Sequence, residues 1–154
     1  MFNFENIHRY EVWKNRWEDP EPMDMLQYIS FNIHPEDFLI AGSLMMPEFV
    51  EVKGCVFLKS NYSEDVYHKM QSDYDPQSIE KGTNHMYVYD LFGHAPQDVE
   101  NVVFERIAEF LQISWSMCLA RKFPGKNMIV EYLNSENEYG PTLTIYQSSN
   151  EDLG

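Results

Sequence analysis

Basic residues are scarce: 11 lysines and arginines stand against 25 aspartates and glutamates, a formal net charge of -14 over 154 residues. A field of that sign repels phosphate backbones and anionic headgroups. Nucleic-acid and membrane-surface roles are therefore disfavoured, and a basic protein partner is favoured, although solubility alone also accounts for an acidic surface. Long hydrophobic runs are missing too, since none approaches the roughly 18 residues that cross a bilayer. The opening MFNFENIHRYEVWKNRW has neither a basic start followed by an apolar stretch nor a cleavage site, so a cytoplasmic location is the expectation. Only two cysteines occur, Cys55 and Cys118, far apart and outside any motif. A chain of this length needs no disulfide, and both are expected to be reduced, buried small hydrophobes. There is no G-x-S-x-G and no glycine-rich loop to cradle phosphates. His85 and His94 fit no metal-ligand spacing. No metal or cofactor is expected.

Aromatic residues, by contrast, are plentiful: ten Phe, ten Tyr and three Trp, within an apolar content of 44%. That suffices for one core, and folding at this length hides roughly two thirds of the unfolded surface. The expectation is a single α+β domain over residues 1–148, with a frayed tail at 149–154.

The negative charge is concentrated. From Trp17 to Val52 eight acids (Glu18, Asp19, Glu21, Asp24, Glu36, Asp37, Glu48, Glu51) meet no lysine or arginine, and Asn127 to Gly154 is likewise without a basic residue. If the two stretches meet they form one acidic face; otherwise they are ordinary solvated surfaces.

Pro20 and Pro22 suit an entry turn before a short helix lined by Met23, Leu26, Tyr28 and Ile29. Pro35 at a first helical position, with Glu36 and Asp37 at the positive end of the dipole, predicts a helix over about 35–46. EFVEVKGCVFLK reads as a hairpin or as one strand kinked at Gly54. Ser63 is placed to cap the next helix, and DPQSIEKG to form another that Gly82 closes. Val99, Val103, Ile107, Phe110, Ser114 and Met117 recur at helical spacing, which predicts a helix over about 97–121 with this stripe buried. NMIVEYL and TLTIYQ, separated by NSENEYGP, predict a C-terminal β-hairpin in a small antiparallel sheet.

NHMYVYDLFGH, residues 84–94, looks most like chemistry. An enzyme would use His85 and Asp90 there as an acid/base pair. Tyr87, Val88, Leu91 and Phe92 argue instead for a core-facing element in which Asn84, His85 and Asp90 make positioning hydrogen bonds. Binding signals lie elsewhere. The turn NSENEYGP projects Glu136, Glu138 and Tyr139, while Trp13 and Trp17 accompany the acids Glu18, Asp19, Glu21 and Asp24. Aromatic residues set among charge complementary to a partner are typical of protein interfaces, although core packing accounts equally for both tryptophans.

The blocks MMPEFVEVKGCVFL, NHMYVYDLF and FPGKNMIVEYLNSENEYGPTLTIYQ resemble a widespread group of small acidic bacterial proteins over roughly residues 35–147. In size, acidity and a helix-then-hairpin ending, the chain is similar to immunity proteins of contact-dependent or polymorphic toxin systems. That resemblance implies a class and transfers no functional residue: a non-enzymatic binder that lays an acidic, aromatic face over a basic toxin domain. The alternatives are a small enzyme using His85 and Asp90, or a structural module.

Overall fold

The computed structural model describes residues 6–93, 99–135 and 139–148. These form six α-helices and two antiparallel sheets, the α+β class expected. The expected tail at 149–154, Glu136, Glu138 and His94 lie outside the described residues. The chain divides into two compact units, Met1–Ser43 and Leu44–Gly154.

The first unit holds α1 (His8–Lys14), α2 (Met25–Asn32) and most of α3 (Pro35–Met45). Asp24 caps α2 by accepting from the Gln27 amide at 3.0 Å, so the acid run supplies a helix start as well as charge. Trp13 is the buried centre of this unit, with Tyr28 edge-on at 5.2 Å. Neither α2 nor α3 buries any residue.

In the second unit, Lys53 and Gly54 both have positive φ, 48° and 90°. Two left-handed residues make the tight turn whose twist suits antiparallel strands. β1 (Phe49–Val52) and β2 (Cys55–Leu58) are therefore a hairpin, registered from Phe49↔Leu58 to Val52↔Cys55. Strand alternation then splits β2 between two cores. Val56 and Leu58 join the cluster of Leu111, Trp115 and Leu119, whereas Cys55 and Phe57 join Tyr67 and Ile79. Burial pushes the Cys55 thiol up, as suits an inert packed sulfur. Cys118, expected to be buried, is only half-buried.

α4 (Glu64–Met70) begins after Ser63, but the serine side chain makes no capping bond. α5 (Pro76–Thr83) is capped instead by Asp75, which accepts from the Ser78 amide at 3.1 Å and the Ser78 hydroxyl at 2.5 Å. Gly82 does not close α5; the helix runs through it to Thr83, and Asn84 takes the C-cap. The Ser78 hydroxyl, then the Ser78 amide, hold the Asp75 carboxyl below its ordinary value. A depressed carboxylate stabilises the fold in full above its unfolded-state pKa and loses that contribution as pH falls through the folded value. Asp75→Asn is thus expected to lower stability at neutral pH and to match the parent below the carboxylate range, at about pH 2–3. Urea titrations at the two pH values check it.

The second sheet has the order β3-β5-β4, with β3 (Met86–Tyr87), β4 (Met128–Leu133) and β5 (Thr142–Gln147). β4 and β5 form the expected C-terminal hairpin, from Met128↔Gln147 to Leu133↔Thr142. β3 covers β5 only at Leu143 and Thr142. Beyond that point two fully buried side chains of α5 and its cap continue the ladder. Asn84 Nδ2 donates to the Val56 carbonyl at 2.8 Å and to the Ile145 carbonyl at 3.0 Å, and Asn84 Oδ1 accepts from the Leu58 amide at 2.9 Å. Glu80, one turn earlier, accepts from the Val56 and Gln147 amides, each at 2.7 Å. Both residues touch β2 and β5, so they join the two sheets through side chains where no strand pairing does.

α6 (Asn101–Lys122) corrects the expected stripe. Its buried residues are Ala108, Leu111, Trp115 and Leu119, whereas Phe110 and Met117 are exposed. The helix is apolar on several sides, so its period alone does not choose which side meets the sheet. Polar contacts confirm the choice the fold makes. Trp115 Nε1 donates to the Leu44 carbonyl at 2.8 Å, and the Ser114 hydroxyl donates to the Met45 carbonyl. These satisfy carbonyls at the end of α3 that have no helical partner. Lys122 Nζ reaches the Phe49 carbonyl at 2.5 Å.

Candidate functional site

β3 leaves α5 at Asn84, and its two-residue period decides what faces out. Val88 is buried in the core and Met86 is half-buried, so His85 and Tyr87 share the opposite face. The expectation that His85 and Asp90 lie buried within a core-facing element is overturned: both are exposed, and the buried polar residue of the segment is Asn84. His85 Nδ1 pairs with Thr144 Oγ1 at 2.9 Å, and no hydrogen bond joins it to Asp90. Asp90 falls in the short 3-10 helix Val88–Phe92, in its first turn.

The exposed face is an aromatic ladder. His85 meets Tyr87 at 5.0 Å between centroids and 89° between planes, and Tyr87 meets Tyr139 at 5.9 Å and 69°. Tyr139 meets Tyr89 at 5.4 Å and 87°, and Tyr89 meets Phe104 of α6 at 4.7 Å and 82°. Every contact is edge-to-face, the geometry in which a positive ring edge meets a negative ring face. The Tyr89 hydroxyl donates to Asn101 Oδ1 at 3.0 Å, which fixes that ring further. Gly140, at φ 98°, lets the chain pass flat against Tyr89: a Cβ there would lie 2.4 Å from a ring carbon. At the free end of this support stands Tyr139, 68% exposed.

Two acidic side chains of α6 lie near β4. After burial, the charges of Glu105 and Glu109 are what push the Tyr132 hydroxyl up. Asn134, just past β4, donates to Glu105 at 3.0 Å. The flanking Glu136 and Glu138 belong to the same turn in sequence but lie outside the described residues.

Of the other expected binding residues, Glu18, Asp19, Glu21 and Asp24 are all exposed in the connection between α1 and α2. Asp19 turns inward on the loop to accept from the Glu21 amide at 3.3 Å. Beside them Trp17, 38% exposed, packs against Phe31 at 5.3 Å, whereas Trp13 is core. The four acids are thus one group in the first unit, and Tyr139 belongs to the second. Reading by residue type missed Phe31 and the ladder partners Tyr87 and Tyr89. The alternate spacing of His85, Tyr87 and Tyr89 was the available signal.

Among the described residues no three His, Cys, Asp or Glu side chains are grouped to hold a metal ion. No helix there is long and apolar enough to cross a membrane. Comparison of the chain with family models, curated proteins and solved structures finds no match.

Proposed function

We propose that this chain is a non-enzymatic binding protein that neutralises a basic protein partner, in the manner of an immunity protein blocking a cognate bacterial toxin domain in the cytoplasm. The observation that carries the reading is Tyr139. A large side chain is held out to solvent by a ladder of rings, in a chain of net charge -14. An anchor ordered before binding loses little rotamer freedom on association, and tyrosine is enriched among residues that dominate interface energies. Complementary charge speeds the encounter and selects the partner.

The test is association and dissociation kinetics against the product of the neighbouring gene, which the proposal expects to be a basic toxin domain. Tyr139→Ala is expected to raise the dissociation rate about 30-fold, a hot-spot loss of about 2 kcal/mol, with little change in association. Glu136→Lys with Glu138→Lys should instead slow association, and the difference should shrink as salt shortens the screening length to about 8 Å. The glutamate changes, in a stretch read from the sequence as a turn, should leave the unfolding midpoint nearly unmoved, whereas Tyr139→Ala gives up its ring contacts with Tyr87 and Tyr89 and should lower it modestly. A toxin domain that does not bind, or binds equally after both changes, removes the proposal.

A further inference from the structure

Residues 63–74 of the second unit, which contain α4, are held down by two side chains. Of these twelve residues only Tyr67 is buried and only Met70 half-buried; the other ten are exposed. α4 has seven residues, and a helix that short does not stand by itself in water. Its N-cap Ser63 makes no side-chain bond, so no cap supports it either. Ordering costs backbone entropy at each of the twelve residues, and the packing of Tyr67 and Met70 is most of what offsets it. From outside, Lys53 Nζ adds a bond to Gln71 Oε1 at 3.1 Å on the exposed surface.

The two ends, by contrast, are fixed. Before Ser63, Tyr62 stacks on Phe57 at 5.3 Å, and Asn61 Nδ2 donates to the Thr83 carbonyl at 3.3 Å. After Tyr74, Asp75 caps α5. A segment anchored at both ends and weakly held between them opens below the free energy of global unfolding. Beneath α4 lies the second core. Tyr67 packs edge-on against Phe57 at 5.8 Å, and its hydroxyl is hydrogen-bonded to the Cys55 sulfur. Met70 reaches the same cluster, which holds Cys55, Phe57 and Ile79.

We infer that residues 63–74 form a lid that opens while the rest of the second unit stays folded, and that opening uncovers the Cys55 thiol with the apolar side chains of Phe57 and Ile79. The uncovered patch takes a small apolar, thiol-directed molecule that the closed fold excludes. This motion is independent of any protein partner.

The probe is an aromatic disulfide reagent that releases a coloured thiolate on reaction, used on the full chain carrying Cys118→Ser so that Cys55 is the one thiol. Global unfolding is followed in parallel by tryptophan fluorescence, since Trp13, Trp17 and Trp115 all lie outside the lid. Labelling of Cys55 is expected at least about tenfold faster than the tryptophan unfolding equilibrium allows. Its rate should be nearly flat at low urea, because opening the lid exposes little surface, and should join the steep global limb only near the midpoint. Glu64→Pro should slow labelling about threefold with the tryptophan midpoint unmoved. Proline suits the first helical position and restricts the open chain, and Ser63 before it is already extended, at φ -134° and ψ 126°. Tyr67→Phe, which keeps the ring and removes the bond to sulfur, should speed labelling about fivefold. Labelling that tracks tryptophan unfolding at every urea concentration, or no labelling below the midpoint, means that the segment opens only with the whole unit and overturns the inference. A flat labelling rate that Glu64→Pro leaves unchanged means that the reagent reaches Cys55 by another route, and overturns it as well.

Discussion

Asn84→Ala is expected to lower the free energy of unfolding by about 3–5 kcal/mol, because it strands three buried backbone groups, each costing roughly 1–3 kcal/mol. Those groups are the carbonyls of Val56 and Ile145 and the amide of Leu58. Loss on that scale is a large share of the roughly 5–15 kcal/mol that holds a domain together. Asn84→Asp should be no milder. It keeps an acceptor for Leu58 but turns an oxygen toward two carbonyl oxygens. Glu80→Gln probes the same joint from the other side, since it sets an NH2 group among donors from Val56 and Gln147. Urea denaturation of the three variants is the measurement. A loss below about 1 kcal/mol for Asn84→Ala would mean that water or strand movement satisfies these groups, and that the two sheets are not joined through this side chain.

Gly140→Ala is the second large effect, and it connects stability to binding. A non-glycine residue at φ 98° carries strain of about 1–3 kcal/mol. The added methyl also meets the Tyr89 ring at 2.4 Å. Tyr89 cannot simply step back, because its hydroxyl is bonded to Asn101 and its ring stands edge-on to Phe104. The variant should therefore lose about 2–4 kcal/mol and displace Tyr139, so that under the proposed function partner dissociation should quicken as expected for Tyr139→Ala. A double-mutant cycle separates the two causes. In a Tyr89→Ala background the cost of Gly140→Ala should fall to the backbone strain alone. An unchanged cost would show that Tyr89 does not hold this turn.

Both predictions concern residues whose type was legible but whose task was not. Asn84 and His85 are neighbours in a polar-looking stretch, and reading by composition assigned burial to His85 and Asp90. Strand alternation in β3 and the C-cap of α5 sent Asn84 inward and His85 outward. Neither signal is strong in a strand of two residues. The stripe on α6 failed for a related reason. Phe110, Ile113 and Met117 repeat as regularly as Leu111, Trp115 and Leu119, and only packing against β2, β4 and β5 distinguishes them.

What the sequence by itself determined about this protein is local. Pro35 with Glu36 and Asp37 starts α3; Lys53-Gly54 permits a tight turn; alternation in NMIVEYL and TLTIYQ makes a hairpin; the surplus of acids sets the sign of the surface field. Each depends on neighbours along the chain, through backbone sterics, the helix dipole or a period of two. Tertiary structure decided which face of α6 is core, that Asn84 and Glu80 join two sheets, and that His85, Tyr87, Tyr89 and Tyr139 become one ladder. Those outcomes depend on groups as far apart in the chain as Asn84 and Ile145. Hydrogen-bond satisfaction and ring packing are properties of the completed interior; a period along the chain can put His85, Tyr87 and Tyr89 on one side, but it encodes neither their contact with Tyr139 and Phe104 nor the partners of Asn84.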